Sequence, residues 1–157
     1  MVQSKRSRIA ALLIGLGMGG FVDGIVLHQI LQWHNMVSNW IPPMTMDAMR
    51  LNMVWDGIFH AFVWLATFAG ILLLWKVAYE REAIPPFRAF AGQLLLGWGM
   101  FNLVEGIIDH QILQLHYVRQ VPEYQAYNLT FLAVGGILFI LIGWLLSSRS
   151  STNHSAI

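Results

Sequence analysis

Cysteine is absent from this 157-residue chain, and charged residues make up only 11% of it. The first absence removes structural disulfides and every thiolate metal site, so any ligand set has to come from nitrogen, oxygen or thioether. The second, set beside a hydrophobic fraction of 57%, takes the chain outside the range of an ordinary soluble domain. A net charge of +1 gives no footing for nucleic acid.

What the chain does have is four apolar stretches, near 9–33, 51–75, 89–115 and 126–147. Each meets the about 20 residues that a helix needs to cross a bilayer core. The expected fold is all-α, an integral membrane four-helix bundle forming one transmembrane domain over 1–157, its main partner the lipid bilayer. Little chain is left over for a soluble catalytic domain. The run after Lys5, Arg6 and Arg8 is not read as a cleaved secretory signal, because it is too long, carries Asp23 and His28, and precedes no small-x-small site. Lys5, Arg6, Arg8, Lys76, Arg81, Arg88 and Arg149 fall at the two ends and the middle loop, whereas only Arg50 and Arg119 fall in the other loops. The positive-inside rule then places both termini in the cytoplasm.

The chain repeats itself. Residues 22–34 read VDGIVLHQILQWH and residues 104–116 read VEGIIDHQILQLH, 82 positions apart without a gap. Two helical hairpins, about 9–77 and 89–147, therefore enter the membrane in the same sense, with a pseudo-two-fold axis along its normal. The second helices match less well: Trp55, Asp56 and Gly57 align with Tyr127, Asn128 and Leu129, so that Asp56 becomes Asn128 and His60 becomes Leu132. On these runs the chain resembles a family of small four-helix prokaryotic membrane proteins classed as a domain of unknown function. The resemblance covers nearly the whole chain and implies a four-helix fold in a prokaryotic inner membrane. It implies no activity.

Asp23, Asp56, Glu105 and Asp109 are half of the eight acids, and all four fall in the apolar stretches, which hold no Lys or Arg. An Asp near the centre of a membrane helix costs about 3 kcal/mol on insertion scales, so a proton, a histidine or a bound cation has to compensate it. With about 1.5 Å of rise per residue, His28, Asp56 and His110 come out about 9 Å, and His60, Asp23 and Glu105 about 15–17 Å, below a boundary drawn at His34 and His116. Three helices thus deliver imidazole and carboxylate to one slab of the outer half. At about 100° per residue, however, His28 sits about 140° from Asp23, and His110 as far from Glu105, which keeps one ion from taking both. A bundle in which each helix meets two neighbours would still bury so wide a polar arc.

Histidine and carboxylate from facing helices is the chemistry of metal centres in helical bundles. The expected ligands are His28, His60 and His110 with Asp23, Asp56 and Glu105, around one or two ions of copper, iron or zinc. His34, His116, Asp109 and Asn128 are expected at supporting or access positions, the two histidines equally readable as solvated helix ends. Met36, Met44, Met46, Met49 and Met53 crowd the first outer loop and the start of the second helix; thioethers suit copper(I), but methionine is also common packing material in apolar chains. A lone membrane histidine is more often a hydrogen-bonded packing residue, yet here the residues recur by repeat and with acids. The alternatives are a haem b held axially by His28 and His110, a metal or proton transport path, and an assembly subunit whose polar groups join helices. A homo-oligomer or a redox or assembly partner in the membrane fits any of them. Gly15, Gly17 and Gly20 match a dinucleotide fingerprint only formally, since no strand precedes them; small residues in a membrane helix allow close packing.

Overall fold

The computed structural model describes residues 4–148; Arg149, part of the charge pattern above, lies outside them. Among the described residues the regular secondary structure is all helical, with no strand. Helices α1 (Lys5–Ile30), α2 (Met46–Tyr79), α3 (Phe87–Ile112) and α4 (Tyr124–Ser148) are each long and apolar enough to cross a membrane. α2 begins where the Thr45 hydroxyl accepts the Ala48 amide at 3.2 Å, satisfying one of the free donors of its first turn. α3 begins after Pro85 and Pro86, the second of which stands at its N-cap. At the other side of that end of the molecule, Ser4 and Arg6 bond to Glu82, Arg6 at 2.8 Å, which ties the start of α1 to the turn between α2 and α3.

The bundle is built around a central pair. α1 packs on α2 and α3, and α3 packs on α1 and α4, with no extensive contact between α2 and α4. In the most apolar windows of α1 and α3, 44% of residues are buried, against 17% in α2 and 11% in α4. The outer helices thus have one main neighbour each, not two, and only the central pair has room to bury polar side chains on both flanks. Glycine sets how close that pair comes. A Cβ on Gly15 would lie 2.1 Å from the Leu94 carbonyl oxygen, and one on Gly97 would lie 2.1 Å from that of Leu12. These positions are repeat mates, so the two backbones touch symmetrically.

The distal halves of the central helices are wound wider. Asp23–Ile30 in α1 and Gly106–Ile112 in α3 form π-helical turns, with hydrogen bonds from i to i+5. Each winding ends the same way: the Trp33 amide donates to the Leu27 carbonyl at 2.9 Å, and the Leu115 amide to that of Asp109 at 2.8 Å. Between them Gln32 (φ 50°) and Gln114 (φ 49°) take the left-handed conformation that closes a helix. The chain is thereby thrown back over the end of the bundle. Glycine carries no left-handed penalty, so Gln32→Gly and Gln114→Gly should each gain about 0.5–1 kcal/mol in unfolding in detergent, after allowance for the entropy glycine adds to the unfolded chain.

Candidate metal centre

The i to i+5 winding changes what the sequence spacing delivers. Asp23 and His28 are five residues apart, as are Glu105 and His110, and a π turn stacks such residues where an α turn spreads them. His28 Nε2 lies 3.0 Å from Asp23 Oδ2, and His110 Nε2 lies 3.4 Å from Glu105 Oε1. The about 140° separation expected from ideal helical geometry is corrected by the local winding.

The reversal at Gln32 and Gln114 supplies the rest. His34 and His116, expected at the rim, are instead carried inward, with 3% and 0% of their surfaces exposed. Their rings stack face to face at 4.3 Å, with 8° between planes. His34 Nδ1 lies 2.9 Å from the Val118 carbonyl, and His116 Nδ1 lies 3.0 Å from the Met36 carbonyl. Met36 and Val118 are themselves repeat mates, so each histidine is held by the loop of the opposite hairpin. A carbonyl only accepts, so both Nδ1 atoms carry the proton and donate, and both Nε2 atoms present lone pairs. Burial, reinforced by His116 and His28 nearby, holds the His34 imidazole well below its usual pKa range and keeps it neutral.

His28 is oriented from behind in the same sense. Its Nδ1 donates to Asp56 Oδ1 at 3.0 Å, and Asp56 also accepts the Asn35 side-chain amide and the Met36 backbone amide, both at 2.8 Å. Three donors hold that carboxylate, which places Asp56 as an orienting group. Asn128, its repeat mate, accepts the Val118 amide at 3.0 Å. The symmetry breaks at this point: His110 Nδ1 and Asn128 Nδ2 are buried with no hydrogen-bond partner.

Two overlapping groups have ligand geometry. His28, His34 and His116 form one and Glu105, His110 and His116 the other, with the ligand atoms of each within 4.8 Å of one another and all five residues buried. His34 Nε2, Asp23 Oδ1 and Glu105 Oε2 are buried without a hydrogen-bond partner, and the 3.0 Å approach of His28 Nε2 to Asp23 Oδ2 is not aligned as a hydrogen bond, which leaves both of those atoms unsatisfied as well. Such orphaned atoms are rare in folded proteins and call for an explanation.

The remaining expected site residues lie elsewhere. His60 belongs to neither group: it is half-buried, its Nδ1 donates to the Asp56 carbonyl one turn back at 2.7 Å, and its Nε2 packs against Gly24. Asp109 is half-buried and also outside both groups. Met44, Met46, Met49 and Met53 are exposed, between 45% and 86%, at the end of the bundle where the histidines gather.

The profile of the predicted membrane protein family DUF2243 matches residues 10–150. The chain belongs to the DUF2243 family. No curated protein and no solved structure matches it. For this DUF2243 protein the site geometry therefore has to speak for itself, and Asp56 offers a clean probe. Asp56→Asn keeps an acceptor for the Met36 amide, as Asn128 does for Val118, while removing the charge behind His28. Loss of an orienting partner typically lowers metal affinity about 10- to 100-fold, and a competition titration with a chromophoric chelator should read that loss in the variant without a change in its melting behaviour.

Proposed function

We propose that this protein is a membrane-embedded metal protein whose ion sits among His28, His34, His110 and His116, with Asp23 and Glu105 as adjoining carboxylates. A single observation carries the reading: the buried Nε2 atoms of His28 and His34, which have no hydrogen-bond partner, converge with that of His116, while the Nδ1 atoms of all three are tied from behind. That is how protein metal ligands are prepared, the outer nitrogen fixing tautomer and ring orientation. An ion would also neutralise acids that lie in apolar stretches without Lys or Arg. Nitrogen with some oxygen suits copper, iron or zinc. The two ligand groups share His116, so two separate ions cannot both claim its Nε2, and one ion with a position that favours either group is the simplest occupancy.

The close packing of rings favours an ion over haem. His34 and His116 lie against both candidate axial residues, with ring centroids 4.4 and 5.7 Å from His28 and 6.2 and 4.7 Å from His110. They occupy the space a porphyrin between those two would need. A second reading, a proton path, draws on the 3.1 Å approach of His110 Nε2 to His116 Nε2. In the membrane the basic N-terminal end would face the cytoplasm and the histidine end the outer side. A cavity of about 570 Å³ lined by His34, Asn35, Ser38, Asn39, Tyr117 and Gln120 would give the ion polar access from that side.

Elemental analysis of protein purified in detergent, with an absorption spectrum, tests the proposal. About one equivalent of a first-row transition metal without a Soret band is the expected result. Metal-free protein that fails to take up copper, iron or zinc on reconstitution would leave the proton path standing and sink the metal reading.

A further inference from the structure

The four histidines of the cluster do not present the same atom to it. At His28, His34 and His116 the Nδ1 atom donates to an acceptor behind the ring, an Asp56 oxygen or a carbonyl, and Nε2 is left bare. His110 is arranged the other way round. Its Nδ1 is buried with no hydrogen-bond partner, and its Nε2 lies 3.1 Å from His116 Nε2 and 3.4 Å from Glu105 Oε1. His116 Nε2 and Glu105 Oε1, themselves 3.4 Å apart, are both acceptors. Three such atoms hold together only with a proton among them, and His110 Nε2 is the one placed to carry it.

The repeat shows why. His28 and His110 keep equivalent ring contacts, with Phe59 at 5.7 Å and with Phe131 at 5.4 Å, and the Met36 and Val118 amides donate to Asp56 and Asn128 alike. The exchange of Asp56 for Asn128 replaces a carboxylate oxygen with an amide nitrogen. Asn128 Oδ1 takes the Val118 amide, so the group left over is Nδ2, a donor that is also buried without a partner. A donor can meet only a bare ring nitrogen, and among the described residues no acceptor bonds His110 Nδ1.

We propose that His110 serves the centre as a hydrogen-bond donor and not as a ligand: its Nε2–H holds the His116 ring in the metal-free protein and passes to Glu105 when an ion takes the His116 lone pair. The proposal rests on the metal reading above and decides between its two groups, assigning the ion to His28, His34 and His116. Turning His110 into a ligand would move its proton to Nδ1, where a buried donor without an acceptor weakens binding about 5- to 150-fold. The two forms are neutral tautomers, so the choice is one of position and not of charge.

The test is NMR of the imidazole nitrogens in isotopically labelled full chain in nanodiscs, first metal-free and then with zinc. The metal-free spectrum should show the proton on Nε2 of His110 and on Nδ1 of His28, His34 and His116. Zinc should shift the Nε2 signals of those three and leave His110 protonated at Nε2. His110→Gln, which keeps an N–H at that end and offers no imidazole, should bind zinc within about threefold of the unaltered chain, whereas loss of a ligand would exceed the about 10- to 100-fold typical of an orienting partner. A proton on His110 Nδ1, a coordination shift at its Nε2, or loss of zinc from His110→Gln protein of native helicity overturns the proposal. If that variant is not recovered, the spectra of the unaltered chain carry the answer. Zinc that leaves every ring unchanged sinks the metal reading instead, and His110 is then judged on the metal-free spectrum alone.

Discussion

His116→Ala protein should purify without metal, because His116 is the one residue common to both ligand groups. The expected loss exceeds the about 10- to 100-fold typical of an orienting partner, since a donor atom itself is removed. His34→Ala should weaken binding strongly while sparing the Glu105, His110 and His116 group. His60→Ala is the informative control: a membrane imidazole of the same chemistry, outside both groups, whose removal should leave the metal content of the protein unchanged. The readout is metal per chain after dialysis against a weak chelator, with helicity checked in the same samples. Retention of metal by His116→Ala together with loss from His60→Ala would place the ion between α1 and α2 instead.

Gly15→Leu and Gly97→Leu should be the most damaging substitutions away from the histidines. At both positions the atom that a side chain would meet is a backbone carbonyl at 2.1 Å, which cannot rotate aside. Overpacking in a fitted core costs about 1–3 kcal/mol where side chains adjust, and here the helices themselves must separate, so a loss of at least about 3 kcal/mol is expected. Gly57 provides the comparison, because a Cβ there meets nothing within 4 Å. Gly57→Ala should be neutral or slightly stabilising, as alanine is favoured over glycine inside a helix. Unfolding in mixed micelles orders the three variants, and indistinguishable midpoints would refute the tight crossing of α1 and α3.

The four membrane helices are legible in composition and hydropathy, since each is a long apolar run bounded by polar residues. The kinship of α1 and α3 is legible in the 82-residue offset. Angular relations are not, because they depend on how many residues each turn takes. Counting at α-helical pitch separates Asp23 from His28, and only the wider turns of Asp23–Ile30 bring them together. The one trace of this in the sequence is an acid and a histidine at i and i+5 in both copies. The inward course of His34 and His116 is hidden for a different reason. A left-handed helix end is usually marked by glycine or asparagine, and here it is glutamine.

The exchange of carbonyl contacts between the hairpins means that neither half owns its histidine. Val118 steers His34 and Met36 steers His116, so the proposed ion, held by both rings, would act as a clasp between the duplicated units. Mass action sets its strength: at a free concentration 100 times the dissociation constant, such a ligand adds about 2.7 kcal/mol to the association of the parts it joins. Chelation should then loosen the seam between the hairpins before it melts either one.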